Sequence, residues 1–453
     1  MARVWEGVEP MPAEWKANYL VPLPKSGDVT KCDKWRGIIL SSVVEKVFSR
    51  IINGRLQQYI EKEALLPETQ CGFRPGRGML DMVFTLRMAL EIARVKSHPL
   101  YIVFVDPAKP YDSVCRETLW EILVKKGIPL HLIITLIKNF YIGKAAQISV
   151  EGVLSNSIDL STGLGQGCCV APTLFNIFLS AVTEDWYTRY RGHMVWGYRL
   201  DGILCRHMDA RTMGKYTSWD TVTVHDLGYA DDAAFIADTV LKLQMLAQDL
   251  QSQYLGWGLH MSVGKAEAMA TQGGDTVDIP MQTDPEGYDK IKFTQGFKYL
   301  GSQISDHGGC EANIQTCIDA ARKAFWRLAS SVWDVCQISL QNRIRVYRAC
   351  VLSVLLYGAE TWTTTFTCRS RLEKFQMMCL RKISQVSRWQ QEQWRLSNDL
   401  LREWPGIPTV KQQVTQARLR WLGHVARMPD HRLPKQMMFA FLPPSIGTVR
   451  TWS

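Results

Sequence analysis

Two adjacent carboxylates, Asp231 and Asp232, sit inside "TVTVHDLGYADDAAFIAD" (residues 221–238), between two short apolar segments of the kind that are usually buried. Val222 and Val224 alternate on one side, and a strand pattern resumes after Asp232. The two aspartates are therefore expected at the tip of a hairpin. Adjacent aspartates are common by chance, and most such pairs are solvated on a turn. A third, converging carboxylate changes the reading, because two Mg²⁺ ions about 3.5–4 Å apart need oxygen ligands from more than one strand. Asp106 is the candidate, directly after "LYIVFV" (residues 100–105), a continuous apolar run of strand length. A strand-end aspartate facing a hairpin-tip pair suits nucleotidyl transfer: the metals lower the pKa of an attacking 3′-hydroxyl and stabilise departing pyrophosphate, and the protein positions the reactants.

At 453 residues, 46% of them hydrophobic, the chain can build two or three lobes with cores of their own. No apolar run approaches the roughly 18 residues that span a bilayer, and "MARVWEGVEP" lacks a signal-type apolar core, so a soluble, intracellular protein is expected. Twelve cysteines without a Cys-x-x-Cys pair are read as reduced thiols, with Cys168 and Cys169 small buried groups under a turn rather than ligands. The formal net charge of +10 favours a polyanionic partner. Cations interleave with aromatics at Arg322–Arg327 and Arg418–Trp421, a mixture that suits phosphates and stacked bases, although each segment alone reads as an amphipathic helix with core aromatics.

Apolar spacing predicts helices over Val43–Ile60, Met82–Ala93 and the stretch ending at Gly127, with "CGFRPGRG" (residues 71–78) a basic, strand-contacting loop between the first two. "AAQISVEGVLSNSIDLST" alternates as a hairpin, and a Gly-rich turn leads into a helix near Pro172. Helical patterns follow from Glu311 to Thr363 and from Ser370 to Ile383, and the tail after Pro434 reads as irregular.

The order "VDPAKPYDSV", "GLGQGCCVAPTLFN", "YADD", "GLHMSVGKAE", "FKYLGS" resembles the reverse transcriptases of non-LTR (LINE-type) retrotransposons, with "VPLPKSGD" and "LPETQCGFRPGRG" resembling their finger segments. The resemblance also takes in "VYRACVLSVLLYGAETW" and "ARLRWLGHVARMPDHRLPKQ", and so runs from about Pro12 to Lys435. It implies an α+β right-hand polymerase: fingers and an antiparallel palm over residues 12–305, a helical thumb over 306–385 and a basic C-terminal region over 386–453. Asp106 and Asp231 become the principal metal ligands and Asp232 a more peripheral one, for two Mg²⁺ ions or for Mn²⁺. Lys265 matches the lysine that approaches pyrophosphate. Tyr111 matches the ring beside the sugar C2′ that disfavours ribonucleotides. Gln166 and Gly167 match the motif beside the incoming nucleotide and template, and Lys25 and Arg36 match cations that grasp its triphosphate. Phe297, Lys298, Tyr299, Leu300 and Gly301 match the primer grip. The implied partners are an RNA template, a DNA primer and dNTPs, with nuclear residence following from that substrate.

The chain departs from the family pattern at several points. Pro107 and Pro110 remove backbone donors beside Asp106 and are expected to displace it. Gly165 stands where a cation is usual, Ala266 where Thr is usual, and Gly78–Met79 replace a Ser-containing pair. By the resemblance the chain is expected to begin within the fingers, without the upstream endonuclease such elements typically carry. A decayed remnant that only binds nucleic acid is therefore the alternative to an RNA-directed DNA polymerase.

Overall fold

The computed structural model describes residues 1–25, 28–189, 194–200, 219–271, 274–282 and 287–443. Its centre is a six-stranded sheet with the spatial order Asp226–Tyr229, Asp232–Ala237, Tyr101–Val105, Glu267–Ala270, Tyr288–Phe293, Ile279–Gln282. Neighbours are antiparallel except Glu267–Ala270 and Tyr288–Phe293, which run parallel. The unbroken apolar run before Asp106 has a simple cause. Tyr101, Val103 and Val105 enter one hydrophobic core, while Ile102 and Phe104 enter a second on the opposite face. A strand covered on both sides has no solvent face to alternate with. Its neighbour divides in the same way, with Ala233, Phe235 and Ala237 on one side and Ala234 and Ile236 on the other.

Helices Val43–Lys62, Arg116–Lys125, Ala171–Arg189 and Val240–Gly256 close the first core. Two of them start on side-chain caps: Ser42 Oγ accepts from the Glu45 amide and Thr239 Oγ1 from the Lys242 amide, each at 3.2 Å. Helix Met79–Val95 and the hairpin Gly296–Ser305 close the second core. The palm is thus a sheet sandwiched between helices, as the right-hand architecture requires. Interwoven with it is the finger sheet, in which Ala17–Pro24 pairs antiparallel with Trp35–Leu40 and parallel with Ala145–Val150. The chain visits the palm between those two finger segments.

The segment expected as a thumb is helical, but the core it enters runs from Cys310 to Ala417, past residue 385, and within it Phe325 stacks on Trp333 at 5.0 Å. The neighbouring Trp326 is exposed, so of that aromatic pair only Phe325 is core. Helix Val410–Arg427 then lays Trp421 against Phe84 of the palm at 5.5 Å. Of the tail expected to be irregular, the part up to residue 443 instead folds back onto the palm, and residues 444–453 lie outside the described residues. Helix Leu433–Met438 buries Leu433 and Met437 in the second palm core, and Ala440–Phe441 pairs with the strand Met194–Tyr198. Pro434 stands in the first turn of that helix, where its missing N–H loses no bond. Among the described residues every cysteine is unbridged, and no helix is long and apolar enough to cross a membrane.

One ion pair lies wholly inside the finger–palm junction. Lys144 Nζ meets Glu45 Oε1 at 2.8 Å and sits 3.6 Å from the centre of the Phe140 ring. Side-chain exposures of 5% and 1% leave neither group a solvent alternative. Lys144→Met is expected to destabilise the fold by about 3–5 kcal/mol, because Glu45 is left buried and unpaired, and adding Glu45→Leu should recover most of the loss. Urea denaturation of the single and double variants tests this, and a double variant no more stable than the single would contradict it.

Candidate active site

Strand register builds the site. Ala233 pairs with Val105, so the hairpin tip and Asp106 meet at the same end of two adjacent strands. Tyr229 pairs with Asp232, which leaves Ala230 and Asp231 as the two turn residues. Ala230 holds φ +58, a left-handed conformation that an alanine adopts only under restraint. The restraint comes from residues 69–72. Gln70 Oε1 accepts from the amides of Ala230 and Gly72, each at 2.9 Å, and Gln70 Nε2 donates to the Ala230 carbonyl at 3.1 Å. On either side, Gly228 N donates to Thr69 O at 2.8 Å and Cys71 N to Gly228 O at 2.9 Å. Gly72 presses so closely on the turn that a Cβ there would lie 2.2 Å from the Ala230 nitrogen.

The tip opens on a cleft of about 590 Å³ lined by Asp106 and Asp231 from the palm, Lys25 and Arg36 from the fingers, Gln166 from the helix-leading turn, and Lys265. Lys265, on the turn Val263–Lys265, brings Nζ to 3.1 Å from Asp106 Oδ2. Burial pushes the Asp231 carboxyl above its ordinary value and the Asp106 charge adds to this, while Arg36 and Lys265 pull it back. Partial desolvation, then the charges of Asp231 and Asp106, push Asp232 up to about 6. Asp232 itself is not part of the cleft lining. Among the described residues no three His, Cys, Asp or Glu side chains close into a metal cage. The donors that do share the cleft, two mutually repelling carboxylates, are hard oxygens of the kind a divalent cation such as Mg²⁺ takes.

The other expected site residues fall around this cleft. Tyr111 is half-buried and stacks on Phe175 at 4.6 Å, and burial together with the Asp231 charge pushes its phenol up. Gln166 O accepts from the Ile39 amide at 2.7 Å, and Gly167, at φ +107, approaches Ile39 so closely that a Cβ would lie 2.5 Å from its carbonyl oxygen. The Gln-Gly pair is therefore pinned to the finger strand. At Gly165 the space of a Cβ is taken by the Ile39 terminal methyl, 2.5 Å away. The two prolines do not displace Asp106. Pro107–Ala108 pairs with His260–Met261, Asp106 O accepts from Ser262 N at 3.1 Å, and the bend that follows is turned by Lys109 at φ +46.

Within Gly296–Ser305, Phe297 stacks on Phe104 at 4.0 Å and the Tyr299 hydroxyl donates to Leu227 O at 2.7 Å, so both rings anchor the hairpin to the palm. Lys298 points to solvent between them. Leu300 and Gly301 form the turn, with φ of +46 and +80, and Leu300 O accepts from the Tyr357 hydroxyl at 2.9 Å. The loop at residues 71–78 is not the free basic surface its composition suggests. Arg74 and Arg77 are nearly buried and pair with Glu61 and Glu68. Gln70 and Gly72, which hold the hairpin tip, were not singled out from the sequence. Their one signal was membership of "LPETQCGFRPGRG", a segment that resembles the family's fingers and of which only residues 71–78 were read as a loop.

Residues 23–304, well over half of the chain, match the family model described as reverse transcriptase (RNA-dependent DNA polymerase). The chain belongs to the reverse transcriptase family. Its relatives include the RNA-directed DNA polymerase from mobile element jockey of Drosophila melanogaster, 22% identical over 83% of this chain and 38% of that protein. The probable RNA-directed DNA polymerase from transposon BS of the same organism is 26% identical over 93% of this chain and 43% of its own length. A Pol polyprotein from the type-1 retrotransposable element R2 of Popillia japonica is 20% identical over 78% of this chain and 46% of that protein. The chain thus spans less than half the length of these three relatives. Among solved structures, apo telomerase from Candida tropicalis matches 96% of the chain and 70% of its own at 10% identity, with a TM-score of 0.44.

The Asp232 shift carries a sign. A carboxyl that titrates near 6 in the folded chain and near 3.8 when unfolded weighs against the fold above about pH 6, and that penalty fades as pH falls through this window. In EDTA at pH 8, Asp232→Asn is expected to raise stability by about 1 kcal/mol, the full shift being discounted for solvent exposure. The gain should shrink towards pH 4, as thermal melts at both pH values would show. A variant no more stable than the parent at pH 8 would contradict the assignment.

Proposed function

We propose that this chain is an RNA-directed DNA polymerase of a non-LTR retrotransposon, extending a DNA 3′ end on an RNA template from dNTPs. The observation that carries the reading is a single cleft holding Asp106, Asp231 and Lys265 from the palm with Lys25 and Arg36 from the fingers. Asp106 and Asp231 would hold two Mg²⁺ ions, or Mn²⁺, with Asp232 the outer carboxylate. When bound, the ions supply activation of a 3′-hydroxyl and charge neutralisation on the departing pyrophosphate.

The rest is positioning by the protein's own groups. Lys25 and Arg36 line the same cleft as the carboxylates, where they would grip a triphosphate. Lys265 Nζ, exposed and ion-paired to Asp106, would supply positive charge or a proton to the leaving group. Tyr111, fixed by its stack on Phe175, offers a rigid ring beside the sugar rather than a swinging one. Gln166 and Gly167 tie the template side of the cleft to the finger strand. In the cell, the implied DNA substrate points to the nucleus, with a nicked 3′ end supplied by an endonuclease activity.

Mg²⁺-dependent incorporation of dNTPs on an RNA template annealed to a DNA primer tests the reading. Asp231→Asn is expected to abolish incorporation, Lys265→Ala to lower it by about 10²-fold, and Tyr111→Ala to admit ribonucleotides. Folded protein that binds template–primer but extends nothing would instead identify a nucleic-acid-binding remnant.

A further inference from the structure

We infer that Arg432, reaching back from the C-terminal segment, is a positioning residue for the Ala230–Asp231 turn, acting through a buried ion cluster and Gln70. The inference rests on the polymerase reading of that turn and adds a dependence on residues far beyond the family-matched region.

Residues 67–78 carry almost no regular structure, so side-chain bonds fix their path. Two of the residues are left-handed, Phe73 at φ +54 and Gly76 at φ +68. At the near end, Arg74 NH1 donates to Pro67 O at 2.6 Å and to Gln70 O at 2.9 Å, while its Nε meets Glu61 at 2.8 Å. At the far end, Arg432 NH1 donates to Gly76 O at 3.0 Å and NH2 to Asp81 Oδ2 at 2.9 Å. Asp81 in turn accepts from the Gly78 amide at 3.2 Å and so caps helix Met79–Val95. Glu68 joins the two ends, pairing with Arg77 and lying 3.0 Å from Arg432 Nε.

Arg74, Arg77 and Arg432 oppose Glu61, Glu68 and Asp81, and the three arginine side chains are at most 9% exposed. The cluster is neutral only while all six are present. Burial already pushes the Asp81 carboxyl up and Arg432 pulls it back down, so removing Arg432 leaves an uncompensated carboxylate under the loop. The relief available is movement of the loop. Gln70 sits in it and makes three hydrogen bonds at the turn, and the left-handed Ala230 has no comparable restraint elsewhere among its described bonds. Arg432 is itself held in place, since the helix that follows it buries Leu433 and Met437 in the palm. The C-terminal segment is therefore a brace for the hairpin that carries Asp231.

The test compares the full chain with Arg432→Gln, Arg432→Lys, Asp81→Asn and the surface control Arg427→Gln. Hydrogen exchange of residues 226–232, which contain the Gly228 and Ala230 amides, should quicken at least tenfold in Arg432→Gln and Asp81→Asn. Thumb helices should exchange as in the parent, Arg432→Lys should fall between, and Arg427→Gln should match the parent. For incorporation on template–primer, kcat should fall about tenfold with KM for dNTP within threefold, as expected of a misplaced ligand rather than a lost binding contact. Unchanged exchange in residues 226–232, or exchange raised equally throughout the chain, overturns the proposal. A parent chain that incorporates nothing refutes the polymerase reading instead, and the exchange data still decide the brace.

Discussion

The strand Tyr101–Val105 is the constraint on which the rest of the molecule depends. It is covered on both faces and flanked by Asp232–Ala237 on one side and Glu267–Ala270 on the other. Every residue in it must be apolar, and the first residue past its end can be charged. Asp106 is that residue. Because both neighbours are paired to the same strand, the hairpin carrying Asp231 and the turn carrying Lys265 are delivered to the same end of the sheet. The charged groups need no contact with one another during folding, since hydrophobic register alone assembles them.

What register assembles, electrostatics would disperse. Asp231 and Asp232 are both raised by burial and by neighbouring carboxylates, and the cations within reach, Arg36 and Lys265, relieve Asp231 only in part. A site that holds like charges together against their repulsion is strained towards a cation, a common condition of catalytic centres. The hairpin resists this because its turn is held from below. Gln70 saturates the Ala230 peptide on both its N–H and C=O sides, and Gly72 leaves no gap into which the turn could relax.

The same economy of backbone contacts explains how the departures from the family pattern are absorbed. Pro107 lies in a two-residue strand next to Asp106, where the neighbouring Asp106 carbonyl, not a proline N–H, makes the bond to Ser262. Gly165 is small because Ile39 reaches across from the fingers to fill the space. The segment from residue 429 to 443 is structural in the same sense. Its helix and short strand complete the second palm core, and Arg432 balances charges that the palm helix and its preceding loop place beneath the sheet.

The strand before Asp106, the hairpin around "YADD" and the helices starting near Val43, Met82, Arg116 and Pro172 were legible in the sequence, and so were the carboxylates, because alternation and apolar runs are local signals. The strands Glu267–Ala270, Ile279–Gln282 and Tyr288–Phe293 and the helix Val240–Gly256 were not read from it. "LYIVFV" followed by Asp106, and "YADD" between two strand patterns, placed the carboxylates at strand ends before any fold was known. Three further features were not legible. "CGFRPGRG" read as a free basic loop because its partners, Glu61, Glu68 and Asp81, are recognisable as partners only in space. The tail after Pro434 read as irregular because Pro434, Pro443 and Pro444 bracket its one short apolar run, and the palm core is what that run packs against. The prolines beside Asp106 read as disruptive because whether a missing N–H matters depends on which strand lies alongside. The sequence by itself determined that the run before Asp106 would be buried and that Asp106, Asp231 and Asp232 would stand at strand ends. Only the tertiary structure decided which charges neutralise one another and which remain to face the cleft, because pairing depends on distances between segments hundreds of residues apart in the chain.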